Sequence, residues 1–127
     1  VVATVQRELL TSRGLRTLAP SDPRYKGRYF GHQAQRDAAY HQGTVWAWLI
    51  GPFIEAYLKT SNFSNDARRK CHIWLSPLLR HLEEEACIGS ISEIFEGDPP
   101  HEPRGAFAQA WSVAEVIRAW QMIHKTE

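Results

Sequence analysis

The chain has 127 residues, with 15 basic against 14 acidic side chains and a formal net charge of +1. That length allows an independent core, and so small a charge supplies no bulk field to draw nucleic acid or a membrane surface as a partner. No apolar run is long enough to span a bilayer, no charged start leads into a leader stretch, and Cys71 and Cys87 lack any metal or redox spacing. The expectations are a cytoplasmic location, buried free thiols, no metal and no cofactor.

In chain order, the first predicted helix runs to about Leu10, with Val2, Val5 and Leu9 in one stripe. Val1 is no initiator methionine and no Ser, Thr, Asp or Asn caps the first turn, so residues 1–127 are expected to be a single fragment of something longer. A loop then carries Arg13, Arg16, Arg24, Lys26, Arg28 and Arg36 interleaved with Tyr25, Tyr29, Phe30, Asp22 and Asp37. Such a cluster is open to a phosphate-binding reading. The interleaved aromatics and carboxylates favour a solvated loop instead, with Arg16 the one arginine at a cleft.

The second helix is predicted over Thr44–Thr60, apolar on nearly every side through Val45, Trp46, Trp48, Leu49, Ile50, Phe53, Ile54, Tyr57 and Leu58. Its approach, Tyr40-His-Gln-Gly-Thr-Val-Trp46, offers an indole face for a sugar ring and groups in His41 and Gln42 for hydroxyls. The same residues also fit a plain helix start with Trp46 in the core, the reading preferred for Trp48 and Trp120. The third helix, about Asn65 to Ala86, repeats apolar residues at Ala67, Cys71, Trp74, Leu75, Leu78 and Leu82, with Pro77 as a kink. The fourth, about Ala106 to His124, is apolar on most sides again, with Trp111 one turn in. Here substrate contact and packing under the preceding loop both remain open.

That loop, Gly89-Ser-Ile-Ser-Glu-Ile-Phe-Glu-Gly-Asp98, places the carboxylate Glu93 among small residues before an apolar helix. A carboxylate so placed is what a glycosidase uses to activate water, although by itself it is also one solvated loop glutamate among 14 acidic groups. Asp98 fits the bonding of loop amides better than of substrate. His32, His72, His81, His101 and His124 have no metal-ligand spacing. Helices that alternate between one-faced and all-round apolar predict an all-α fold, a double-layered α/α toroid whose inner helices are covered on every side. Long loops precede the two inner helices, which puts the site on that rim.

Three segments carry a resemblance: GLRTLAPSDPRYKGRY, RDAAYHQGTVWAWLIGPFIEAYL and GSISEIFEGDPPHEPRGAFAQAWSVAEVIRAW. They resemble the C-terminal end of the amylo-α-1,6-glucosidase domain of bacterial and archaeal glycogen debranching enzymes, over nearly the whole chain. The resemblance implies an (α/α)6 barrel, of which four helices here form the last third. It implies glycogen or a branched α-glucan as substrate and the remainder of the parent chain as partner. Ser92-Glu93-Ile94-Phe95-Glu96 is also similar to the glucoamylase loop that bears the catalytic base, which falls on Glu93. Tyr40, His41, Gln42, Trp46, Trp111 and Arg16 then become substrate-binding candidates. Two departures stand out: Ala47 replaces the usual proline of VWPW, removing a helix-start stiffener, and Glu96 stands where aspartate is commoner.

Inverting hydrolysis needs a protonated carboxyl and a carboxylate roughly 6.5 to 9.5 Å apart. The resemblance places the acid upstream of Val1, so the isolated fragment is expected to be inactive. The other class considered is a non-catalytic helical carbohydrate-binding or assembly domain. The exposed apolar faces of a partial toroid also predict either self-association as a homodimer or dependence on the parent chain.

Overall fold

Helices and very short strands alternate in this chain, whose computed structural model describes residues 1–125. Helix α1, Val2–Glu8, leads into β1, Leu10–Thr11, and β2, Gly14–Arg16. Helix α2, Gln33–Ala39, precedes β3, Val45–Trp46, and a 3-10 turn, Ala47–Leu49, continues directly into α3, Ile50–Thr60. Helix α4, Asn65–Glu84, is followed by β4, Ile94–Phe95, β5, Pro103–Arg104, and α5, Ala110–His124.

The all-α class and the toroid built on it are therefore corrected: the chain is mixed α/β, with a five-stranded antiparallel sheet in the order β1-β2-β3-β4-β5. The physical reason lies at Val45 and Trp46. Their apolar side chains continue the period of the helix after them, yet Trp46 sits at φ −109°, ψ 120° and pairs on both edges. Leu15 and Ile94 flank Trp46, and Arg16 and Phe95 flank Val45. Strands of two or three residues leave no alternation to read, and their partners lie far apart in sequence.

The sheet forms a rim along which segments that bear the site are brought together. Leu15, Val45 and Phe95 from its centre join the core made by Ile50, Phe53, Ile54 and Leu58 of α3, Cys71, Leu75 and Leu78 of α4, and Val116, Ala119 and Ile123 of α5. Helix α4 starts as its sequence demands: the Ser64 hydroxyl accepts from the Ala67 amide at 3.3 Å and Asp66 sits in the positive first turn. Its buried stripe runs Ala67, Cys71, Leu75, Leu78 and His81, so His81 is buried while Leu82, expected there, is only partly so. Burial pushes the Cys71 thiol up to about 12, which keeps it protonated, and both cysteines are free.

The two apolar helices end differently. Helix α3 buries Ile50, Phe53, Ile54 and Leu58 while Pro52, Lys59 and Thr60 stay exposed, whereas α5 leaves the large apolar side chains of Trp111, Ile117 and Trp120 half-exposed. Trp120, expected in the core, instead lies against His124, the rings tilted by 32° at 3.8 Å between centres.

Candidate active site

The loop that carries Glu93 is pinned residue by residue to three different elements. The Gln109 amide, at the start of α5, donates to the Ile91 carbonyl at 2.9 Å. The Ser92 amide donates to the ring of His81 on α4. The Glu93 amide donates to the Ala106 carbonyl at 2.8 Å, just past β5. Its carboxylate is then held on both oxygens: Oε1 accepts from the Tyr40 hydroxyl, and Oε2 from the Ala106 amide at 3.0 Å. Each of those partners donates, so the Glu93 carboxylate is held as an acceptor on both oxygens with its orientation fixed.

Tyr40 sits at the end of α2, and its own carbonyl is doubly used, accepting from the Thr44 hydroxyl at 2.6 Å and from the Trp46 indole N–H at 3.0 Å. Partial burial, and then the hydrogen bond and negative charge of Glu93, push its phenol well above the ordinary tyrosine value. It therefore remains a donor through the neutral range. Gly105 makes the close approach possible. It adopts φ +68°, and a Cβ there would come within 2.5 Å of Glu93 Oε2.

Beside this pair opens a cleft of about 620 Å³, walled by Trp46, Trp48, Leu49, Trp111, Leu9 and Leu15, with His41, Arg16 and Thr17 as its polar groups. Tyr40 is the joint between the two, its ring 4.8 Å from those of both His41 and Trp46. The His41 ring lies parallel to Trp46 at 5.3 Å and 9°, and Trp111 tilts toward Trp46 at 6.2 Å. Trp46 is nearly buried, at 5% exposure, while Trp111 is half-exposed, so Trp111 offers the larger free indole surface. Arg16 reaches the Gly97 carbonyl through Nε at 2.9 Å, tying the cleft to the turn that follows β4.

Of the residues singled out from sequence, the fold gathers Glu93, Tyr40, His41, Trp46, Trp111 and Arg16 into one region. Gln42 is different. Its backbone carbonyl accepts from the Lys26 amide and its amide donates to Ala39, and it is absent from the cleft wall. Glu96 is buried against Arg104 at 3.2 Å with Arg28 at 3.8 Å, and Asp98 accepts from the Tyr25 hydroxyl at 3.0 Å, where loop amides were expected. The loop arginines are likewise engaged internally, Arg13 with Glu85, Arg24 with Asp22 and Arg36 with the Gly31 carbonyl. Sequence reasoning missed Trp48 as cleft wall, the Gly105-Ala106 cradle, and His81. The positive-φ demand on Gly105 and the burial of a histidine on the apolar stripe are visible only once the chain is folded.

Among the described residues no group of three or more His, Cys, Asp or Glu is placed to hold a metal ion. A carboxylate held ready by fixed donors beside an aromatic cleft has the form of one half of a glycoside hydrolase site. The comparison with known proteins narrows that class. The chain belongs to the amylo-alpha-1,6-glucosidase family, whose model matches residues 1–118. It is similar to a protein described as glycogen debranching enzyme from Saccharomyces cerevisiae, 42% identical over 119 residues, with 80% of this chain covered. The match spans 8% of that yeast protein's length.

Proposed function

We propose that the natural protein carrying this chain is an inverting α-1,6-glucosidase that removes single glucose stubs at the branch points of glycogen or a related α-glucan, with Glu93 as its general base. The observation that supports this most is the Glu93 carboxylate, which accepts from Tyr40 and the Ala106 amide one side chain away from the aromatic cleft. Oriented in this way, the carboxylate can take a proton from a water molecule attacking the anomeric carbon. Tyr40 and the Ala106 amide hold it in place without supplying a proton to it. Trp111 offers its face to a glucose ring, Trp46 forms the wall behind, and His41 and Arg16 present donors toward hydroxyls.

The proton donor to the leaving oxygen is assigned to the natural protein outside residues 1–127. Within the same loop, Glu96 and Asp98 are already committed to arginines and a tyrosine. The family membership supports a glycan substrate and, through it, a cytoplasmic setting; among the described residues no helix is long and apolar enough to cross a membrane.

Proton NMR of the natural protein acting on a limit dextrin tests the reading. Inversion at an α-linkage releases β-glucose first, which then mutarotates. Initial α-glucose would exclude inversion, and binding of the dextrin without glucose release would move the protein to a non-catalytic carbohydrate-binding class.

A further inference from the structure

Behind the Glu93 loop, α4 places a histidine at a position where the stripe of a helix ordinarily carries a leucine. His81 is fully buried at 0% exposure. The Ser92 amide donates to its Nε2 at 3.3 Å, and the Ser92 hydroxyl lies 3.2 Å from the same nitrogen. A backbone N–H can only donate, so Nε2 carries a lone pair and the ring proton belongs on Nδ1. Nδ1 faces Glu85 Oε2 at 3.0 Å, and the other Glu85 oxygen takes the Arg13 guanidinium at 2.7 Å. Phe95 fixes the ring from the side, edge-on at 4.9 Å, and Arg13 also lies over Phe95 at 5.5 Å.

A polar chain thus runs from Arg13 near the surface through Glu85 and His81 to the peptide N–H one residue before Glu93. Its order of serine, histidine and carboxylate is that of a nucleophilic triad. Ser92 is 1% exposed, however, so its hydroxyl has no route to a substrate. The remaining role is orientation. The Ser92 N–H has no strand partner, and without an acceptor it would be a buried, unpaired donor. Turning the Ile91–Ser92 peptide to relieve that would change the backbone torsions on either side of it and so shift the segment that carries Glu93 relative to the Tyr40 hydroxyl. We infer that His81 is a positioning residue for Glu93, acting as a neutral acceptor that fixes the Ile91–Ser92 peptide and thereby the aim of the carboxylate; this rests on the proposed role of Glu93 as general base.

Two amide replacements separate the halves of the ring in the natural full-length enzyme. His81→Gln can place an acceptor where Nε2 stood, whereas His81→Asn keeps a donor toward Glu85 and loses the acceptor for Ser92. The expected result is a fall in kcat of about tenfold or more for His81→Asn with KM within about twofold, and recovery to within about threefold of wild type for His81→Gln. Equal kcat in both variants, whether unchanged or lowered alongside the melting temperature, would overturn the inference and leave His81 a packing residue. If His81→Asn does not accumulate as folded protein, Glu85→Ala, at a partly exposed position, is expected to lower kcat with KM unchanged, and an unaltered kcat there would overturn the inference equally. Glu93→Gln run in parallel separates the two readings. An inactive Glu93→Gln beside a fully active His81→Asn refutes only the positioning role, whereas an active Glu93→Gln removes the general base and this inference with it.

Discussion

Glu93 and the cleft beside it are held by opposite kinds of force. Around Glu93 every hold is directional: two donors on the carboxylate, a hydrogen bond on its own amide, and further bonds on each of the two residues before it. The cleft is walled mainly by indole and leucine surfaces that meet by tilted packing, 6.2 Å between ring centres at Trp46–Trp111 and Trp48–Trp111, with Trp46 also tied through its N–H to the Tyr40 carbonyl. The difference fits the roles proposed for the two regions. A base must stay aligned with one water molecule, where a displacement of about 1 Å costs about 10²-fold, while a sugar-binding wall tolerates adjustment. Changes near Glu93 should therefore fall on kcat, and changes in the cleft on KM.

The largest effect short of removing the carboxylate is expected at Gly105. An alanine there meets both an unfavourable positive φ and the Glu93 carboxylate, so Gly105→Ala should lower kcat by about 10-fold to about 10²-fold. Steady-state kinetics of the natural protein reads it, and a rise in KM with kcat unchanged would blur the distinction between the two regions. Tyr40→Phe removes one hydrogen bond to a charged group, worth about 1.5 kcal/mol at the low end of its range, and should lower kcat about tenfold with KM nearly constant. Trp111→Ala should do the reverse. Losing an aromatic face worth about 0.5 to 1.5 kcal/mol raises KM about three- to tenfold, while kcat stays within about twofold. If Trp111→Ala lowered kcat instead, the indole would belong with the alignment of Glu93.

The smallest effect is one of pH. Tyr40 is neutral when protonated, and its folded-state pKa lies above the usual value of about 10. The unfolded chain therefore loses this proton first as pH rises. The stability contributed by the phenol is complete below about pH 10 and is lost as pH climbs toward the folded value. Melting temperatures taken between pH 8 and 11 should fall more steeply for wild type than for Tyr40→Phe, and parallel curves would deny the shift.

Much of the helical scaffold was legible in sequence because its periods are long. The third predicted helix matches α4 almost to its ends, and the fourth contains α5 with a few residues to spare. Helix α2 was not legible, since its seven residues, QAQRDAA, make no apolar stripe. The strands were missed because two paired residues carry no pattern, and the apolar pair Val45-Trp46 reads as helix until Leu15 and Ile94 come beside Trp46. At the site, Glu93, Tyr40, Trp46 and Trp111 could be picked out from three separate segments, and Glu93 only through the resemblance those segments carry. The Ala106 amide, the tight turn at Gly105 and the His81 acceptor belong to segments that only folding brings together, so no spacing in the chain announces them.

The account rests on Glu93 as the group that activates water, and the most direct measurement is the turnover of Glu93→Gln in the natural full-length protein on a branched α-1,6-glucoside. Glutamine keeps the size of the side chain and its place against Ala106 but cannot accept the proton, so kcat should fall by at least about 10²-fold with KM close to wild type and the melting temperature little changed. Wild-type turnover by Glu93→Gln would contradict the account and remove Glu93 from the reaction.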